Sequence, residues 1–367
     1  MQALLPALTE VYGNPSSVHQ DGQTARQRLE SARVDICALL HCSPKDLVLV
    51  SGGTEGDNLA LFGAVRAKTS ERRHLITTAI EHPAVLNACA QLEQESVEVT
   101  YLQPSPQGLI EPDAVSRALR PETVLVSVMH ANNETGVIQP LEEIGTVARD
   151  AGVLFHSDGV QAAAKIPVDL SSLPVDLYTI SGHKFYAPKG AGALYVRQGV
   201  TLKPVQYGGR HERSRRAGTE NVPGIIAMGA AARLAAQSLG SEQVRLAGLR
   251  DRLERGIVSR IPDVRLNGAF APRVPNTTNI AFDGVDGEAM VIALDLRGFA
   301  LSTGSACSSG AVEPSHVLTA MGLSRDQARS SLRFSLGRIN TEEQVDELIE
   351  AVAAAAAHLR RLSPTYV

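Results

Sequence analysis

Over the first two-thirds of the chain, short aliphatic and β-branched runs alternate with stretches in which apolar residues recur every three or four positions. Leu47-Val-Leu-Val50 reads as a strand, and residues 55–68 after it as a helix. Residues 74–78 read as a strand, with a helix from Pro83 onward. Residues 97–102 and 123–129 are further strands, followed by helical spacing over 112–119 and 141–151 respectively. Residues 153–155, 176–180 and 193–196 complete the series, the last close enough to 176–180 to be its hairpin partner. Seven strands with helices between them predict an α/β fold whose mostly parallel sheet is covered on both faces. Upstream, Ala25, Leu29, Ala32, Ile36 and Leu39 share one face of a helix over 23–40. Cys37 lies beside that stripe and reads as a packed core thiol.

The texture changes after Val222-Pro-Gly. A long helical stretch over 225–259 reads as a bridge into a smaller α+β region. That region holds strands at 279–282 and 332–335, a helix over 287–296 and a closing helix over 342–361. Thr341 and Gln344 fit a capping box at the start of the closing helix. The expected organisation is a large domain, 1–238, and a small C-terminal domain, 239–367.

Composition narrows the function classes. The chain has 367 residues, 44% of them hydrophobic, which is ample for a large core. Net charge is −4 with acids and bases interspersed, which argues against a nucleic-acid binder. The most basic stretch, Arg210-His-Glu-Arg-Ser-Arg-Arg216, reads as a solvated loop or an anion site. Four cysteines without a C-x-x-C pair argue against a disulfide framework and for a reducing compartment. The first residues lack the basic flank of a signal peptide, and no apolar run approaches membrane-spanning length. A cytoplasmic protein with no membrane partner is the expectation.

Four signals fall where an apolar strand ends. Ser181-Gly-His-Lys184 places a lysine beyond residues 176–180. Burial there would lower its pKa and favour an amine that condenses with aldehydes, pyridoxal phosphate among them. Asp158, 26 residues earlier, ends another strand. It reads either as a helix cap or as the carboxylate that a pyridinium nitrogen needs. Ser51-Gly-Gly-Thr-Glu55 joins a strand to a helix, and Gly53 lets backbone N–H groups approach a phosphate. It lacks the endings of a nucleotide P-loop or a dinucleotide fingerprint, so a smaller phosphate ligand fits better. His82, in Glu81-His82-Pro83, is placed to stack on an aromatic ring or to move protons. Carboxyl ends of parallel strands are where such sheets place their ligands.

These segments, with Gly13-Asn-Pro-Ser-Ser17, Asn132-Asn-Glu-Thr-Gly136, Arg216-Ala-Gly-Thr-Glu-Asn221, Ser302-Thr-Gly-Ser-Ala-Cys-Ser308 and Arg333-Phe-Ser-Leu-Gly-Arg338, stand in the order seen in NifS/IscS-type cysteine desulfurases. The resemblance covers nearly the whole chain. It implies the pyridoxal-phosphate-dependent transferase fold of type I, and removal of sulfur from L-cysteine to give L-alanine. Lys184 would carry the cofactor as a Schiff base and later move protons. His82 would stack on its ring, Asp158 would pair with the ring nitrogen, and Gln161 would contact the ring hydroxyl. Gly53, Thr54, Ser181 and His183 would hold the phosphate. Thr219 would reach the phosphate of a neighbouring subunit, implying a homodimer. Asn133, chosen over Asn132, and Arg333 would bind the substrate carboxylate, which an arginine fork matches. Cys307 would take the sulfur as a persulfide for an acceptor protein such as an iron–sulfur scaffold.

Two departures from the family pattern stand out. The family begins upstream of this chain's Met1, with a segment resembling D-N-x-A-T-T, which leaves a truncated, non-catalytic cofactor-binding paralogue as an alternative. Asp158-Gly159 replaces the more usual Asp-Ala, a change expected to matter little. Selenocysteine lyase on the same scaffold is the other alternative.

Overall fold

The computed structural model describes residues 1–68, 72–303 and 313–362. The chain divides into two compact units. One comprises residues 1–102, 111–130 and 139–239; the other comprises 103–110, 131–138 and 240–367.

The first unit is built on a seven-stranded sheet of order β1-β7-β6-β5-β4-β2-β3. Its strands are β1 (Leu47–Val50), β2 (His74–Thr78), β3 (Glu98–Leu102), β4 (Thr123–Ser127), β5 (Leu154–Asp158), β6 (Leu177–Ser181) and β7 (Gly192–Val196). The strands β3, β2, β4, β5 and β6 pair in parallel. Strand β7 runs against both β6 and β1, so it alone is reversed. The remaining six strands therefore end on one edge. The expected hairpin of β6 and β7 is present, with Leu177 opposite Val196.

Helices α1 (Leu4–Thr9), α2 (Gln20–Leu40), α3 (Gly53–Ala67), α4 (Pro83–Gln94), α5 (Pro112–Ala118) and α6 (Leu141–Asp150) belong to this unit. Their starts follow from local chemistry. Proline, which has no N–H to waste, opens α4 and α5. Strands β1, β2, β4, β6 and β7 are buried at every position. This explains why they read as unbroken apolar runs rather than as alternating ones. Leu61, Leu75, Val85, Leu92, Leu125 and Leu194 are among the fully enclosed side chains, each worth about 1.5–3 kcal/mol of burial.

Helix α7 (Val222–Arg260) passes from the first unit into the second. It is long and apolar enough to cross a membrane, contrary to the expectation from the sequence. Only parts of it are packed inside the protein, 33% of its apolar stretch being buried. In the first unit Ile225, Met228 and Ala232 are buried and Gly229 packs against the backbone of Ala32. In the second, Leu249, Leu253 and Ile257 lie in the core.

The second unit has an antiparallel sheet, β10-β9-β8, of β8 (Val264–Leu266), β9 (Thr277–Phe282) and β10 (Ser331–Ser335). It is covered by α8 (Gly287–Asp295), α9 (His316–Ala320), α10 (Arg325–Arg329) and α11 (Glu342–Leu362). The capping box is formed: Gln344 N donates to Thr341 Oγ1 and Thr341 N to Gln344 Oε1, both at 3.3 Å. The early segments are stitched into this unit by backbone bonds, Val274 N to the Gly136 carbonyl and Ile138 N to the Pro272 carbonyl, each 2.8 Å.

Candidate active site

The first unit gathers its chemistry at the carboxyl edge of the sheet. After β1 the chain runs through Gly52, in extended conformation, straight into α3. A Cβ on Gly192 of β7 would stand 2.7 Å from Gly52 Cα, so two backbones meet where only glycine fits. A Cβ on Gly53 would lie 3.7 Å from Ser181 Cβ, which brings the end of β6 beside the first turn of α3. Ser181 Oγ and His183 Nδ1 are 2.9 Å apart. Amide groups of a helix N-terminus, a serine and a histidine so assembled suit a small phosphate. Thr54 is exposed on the same turn.

Arg216 and Glu55 brace this cradle, and no local sequence signal announced them. Arg216 Nε donates to Glu55 Oε1 at 2.8 Å, while Glu55 Oε2 accepts from Ser51 N at 2.8 Å. Burial pushes the Glu55 carboxyl up, but Arg216 and Ser51 outweigh it and hold it below the usual carboxylate range. Thr219, three residues beyond Arg216, is exposed.

Asp158 ends β5 as a buried carboxylic acid whose Oδ1 accepts from Val160 N at 2.9 Å. This is a local turn, not a helix cap. Burial raises its pKa to about 6, opposed by the Val160 bond and the Lys184 charge. A cation placed against it would relieve that penalty, so the site fits a protonated ring nitrogen. Lys184 lies in the 3₁₀ turn Gly182–Phe185 directly after β6. It is exposed, which corrects the expectation of a buried strand-end lysine: the turn carries the side chain beyond the sheet edge. His82 caps α4, its Nδ1 accepting from Ala84 N at 3.1 Å. Its neutral form therefore keeps the proton on Nε2. Gln161 is half-buried, and its Oε1 accepts from Lys165 Nζ.

Behind Asp158 lies a polar layer that sequence reasoning missed. His156, on the same face of β5, shares hydrogen bonds with Ser127 Oγ at 2.9 Å and Thr179 Oγ1 at 3.1 Å. Asp57 of α3 sits 3.6 Å from His156 Nε2. Burial drives the Asp57 carboxyl well above its ordinary range, with Asp158 nearby adding to the rise, and lowers the His156 imidazole to about 3, so the imidazole is neutral near pH 7. The step from Asp158 to Gly159 also proves consequential. A Cβ on Gly159 would stand 2.0 Å from Tyr178 Cζ, inside the ring's own volume. The expectation of a trivial change is thereby corrected: here Tyr178 fills the space that an alanine methyl would need.

The second unit holds the other candidates. Asn132 Oδ1 accepts from Glu134 N at 2.9 Å and Thr135 N at 3.0 Å, so its carboxamide oxygen is spent on its own turn. Among the described residues, Asn133 Oδ1 is buried without a hydrogen-bond partner. Arg333 of β10 donates Nη1 to the Asn133 carbonyl at 2.9 Å, while its buried Nε has no partner among the described residues. Burial lowers the Arg333 pKa, partly offset by Glu134. An arginine with a spare buried N–H donor suits an incoming carboxylate, toward which Asn133 could contribute only its Nδ2 donors. Arg333 N also donates to the Ser302 carbonyl at 2.7 Å, at the start of the segment that carries Cys307. Cys307 itself lies outside the described residues.

An α/β fold with an anion cradle, a lysine and a buried acid on one sheet edge defines an enzyme class in which a phosphorylated ligand sits at the strand ends. The chain belongs to the aminotransferase class-V family, whose model matches residues 1–348, and within it stands with the cysteine desulfurases. It is 48% identical over 364 residues to a cysteine desulfurase of Nostoc sp., covering 99% of this chain and 91% of that one. It is similar to the solved structure of a NifS-like protein, with TM-score 0.90 and 32% identity over 97% of this chain and 95% of that one. It also resembles a structure described as SspA in complex with cysteine, with TM-score 0.81 and 35% identity over 91% and 94%.

Proposed function

We propose that this chain is a pyridoxal-phosphate-dependent cysteine desulfurase that converts L-cysteine to L-alanine and leaves the sulfur as a persulfide on Cys307. The observation that carries the substrate reading is Arg333 Nε, a buried donor without a partner among the described residues, on a strand bonded to the start of the Cys307 segment. The names borne by its relatives support the same substrate.

Lys184 would anchor the cofactor, Gly53, Thr54, Ser181 and His183 would take its phosphate, and Asp158 and Gln161 would hold its ring. When bound, that group supplies an electron sink for the substrate's α-carbon. Arg333 and Asn133 would orient the cysteine by its carboxylate. His82, with its proton on Nε2, and Lys184 would move protons. The Cys307 thiolate would attack the substrate sulfur: an S–S bond forms, the substrate C–S bond breaks, and a proton delivered to the β-carbon completes alanine. Exposed Thr219 would reach the site of a second protomer in a homodimer. The persulfide would pass to an acceptor protein, an iron–sulfur scaffold being the class we expect.

Borohydride reduction of the chain reconstituted with pyridoxal phosphate, followed by peptide mapping, tests the anchor. A stable adduct on Lys184, absent from Lys184→Ala, is expected. An adduct on another lysine, or none, would overturn the assignment.

A further inference from the structure

Between β7 and α7, residues 208–219 form an arm that is fastened at its root. There Glu212, Arg213 and Ser214 all adopt positive φ, of 42°, 57° and 64°. Residues with side chains keep such a left-handed run only where their surroundings hold it. The buried Glu212 carboxylate accepts from Arg33 Nη1 and Nη2, at 2.9 and 2.7 Å, and from Leu49 N of β1 at 2.8 Å. Arg213 Nη1 donates to the Lys45 carbonyl, just before β1, at 2.8 Å.

Beyond the root, one guanidinium serves two segments. Arg216 Nε donates to Glu55 Oε1 at 2.8 Å, and the other Glu55 oxygen accepts from Ser51 N at 2.8 Å. That side of the brace holds the strand-to-helix turn of the anion cradle. Arg216 Nη1 donates to the Gly218 carbonyl at 3.2 Å. That carbonyl belongs to the peptide that joins Gly218 to exposed Thr219. An arginine fork has donors for both directions at once, whereas a lysine offers one point charge. The Arg216 and Glu55 side chains are only 16% and 23% exposed, so solvent screens the pair less than it would a surface contact.

We infer that Arg216 is a positioning residue that links the two anion cradles of a dimer. Through Glu55 it holds the cradle of its own protomer, and through the Gly218 carbonyl it sets Thr219 toward the cradle of the second. This role rests on Thr219 acting in a homodimer, as proposed for the desulfurase. Its consequence is specific: a change at Arg216 in one protomer loosens the phosphate ligand in the other, whose own residues are unaltered.

The test is a heterodimer of two differently tagged chains, one carrying Lys184→Ala, so that only the other can hold pyridoxal phosphate covalently. After dilution, the cofactor remaining on that single Lys184 is fixed with borohydride and counted over time. Arg216→Gln on the Lys184→Ala chain should speed cofactor loss from the unaltered neighbour about tenfold, the scale of one hydrogen bond from a charged donor. Glu55→Gln on the same chain should act in the same direction and serves as the test if Arg216→Gln does not fold. Cofactor loss at the unsubstituted rate would overturn the inference. Thr219→Ala on the Lys184→Ala chain separates the two readings. If it too leaves the neighbour unchanged, or if no heterodimer can be isolated, the second-protomer role of Thr219 fails and the role of Arg216 with it. Faster loss with Thr219→Ala but with neither brace substitution sinks the role of Arg216 alone.

Discussion

Gly159→Ala should destabilise this chain far more than a buried glycine-to-alanine change ordinarily does. The new methyl would stand 2.0 Å from Tyr178 Cζ and 2.3 Å from its hydroxyl oxygen. Comfortable contact is about 3.5–4.0 Å, so the ring would have to yield by about 1.5 Å. It has little freedom to do so. Tyr178 is fully buried in β6, and its hydroxyl is 2.7 Å from His130 Nδ1. Nor can the backbone retreat easily, because Gly159 N donates to the Thr179 carbonyl at 2.9 Å. Overpacking of this kind costs about 1–3 kcal/mol. Losing the hydrogen bond to buried His130 would add about 1–3 kcal/mol. A total of about 2–6 kcal/mol is therefore expected, read as a lower urea midpoint at unchanged slope. Adding Tyr178→Leu should return part of that loss, with about 1–3 kcal/mol of favourable coupling between the two sites. A Gly159→Ala chain within about 0.5 kcal/mol of the parent, the range of an inconsequential substitution, would refute the reasoning.

Two further predictions concern buried charge. Glu81 is enclosed, with Oε1 accepting from Thr78 Oγ1 at 2.8 Å and Met129 N at 2.9 Å, and burial pushes its pKa to about 8. The unfolded chain ionises Glu81 near its ordinary 4.5 while the folded chain keeps the proton until about pH 8, so this contribution to stability falls as pH rises between those values. His130 and His156, held down to about 4 and 3, act with the opposite sign but only below about pH 6.5. Denaturation of the cofactor-free chain between pH 6.5 and 8 should therefore lose less stability in Glu81→Gln, by about 1 kcal/mol per pH unit; equal slopes would refute the assignment. Glu212 takes a bidentate bond from buried Arg33, at 2.7 and 2.9 Å, and accepts from Leu49 N at 2.8 Å. Glu212→Ala should cost about 3–5 kcal/mol in the same assay, while Arg33→Met with Glu212→Leu should cost less.

Much of the fold could be read from the sequence because its central strands are buried throughout and stand out as apolar runs. What escaped was short or partly exposed: Val264-Arg265-Leu266 offers three residues, too few for their alternation to stand out, and α9 and α10 have five residues each. In the site, Asp158, Lys184 and Ser181 were visible because each follows an apolar strand. The braces were not. Arg216 and Glu55 are 161 positions apart, and Tyr178 and His130 are 48 apart, so only the folded chain brings them together. The exposure of Lys184 was missed for a related reason: a strand-end position is legible, but the turn that swings the side chain past the sheet edge is not.

The most direct test of the proposed desulfurase is to supply the cofactor-loaded chain with L-cysteine and a reductant and to quantify alanine and sulfide together, in the parent and in Cys307→Ala. The account predicts equal amounts of alanine and sulfide from the parent, a persulfide on Cys307 when reductant is left out, and loss of both products in the variant with cofactor retained. Pyruvate in place of alanine, or unchanged turnover without Cys307, would contradict it.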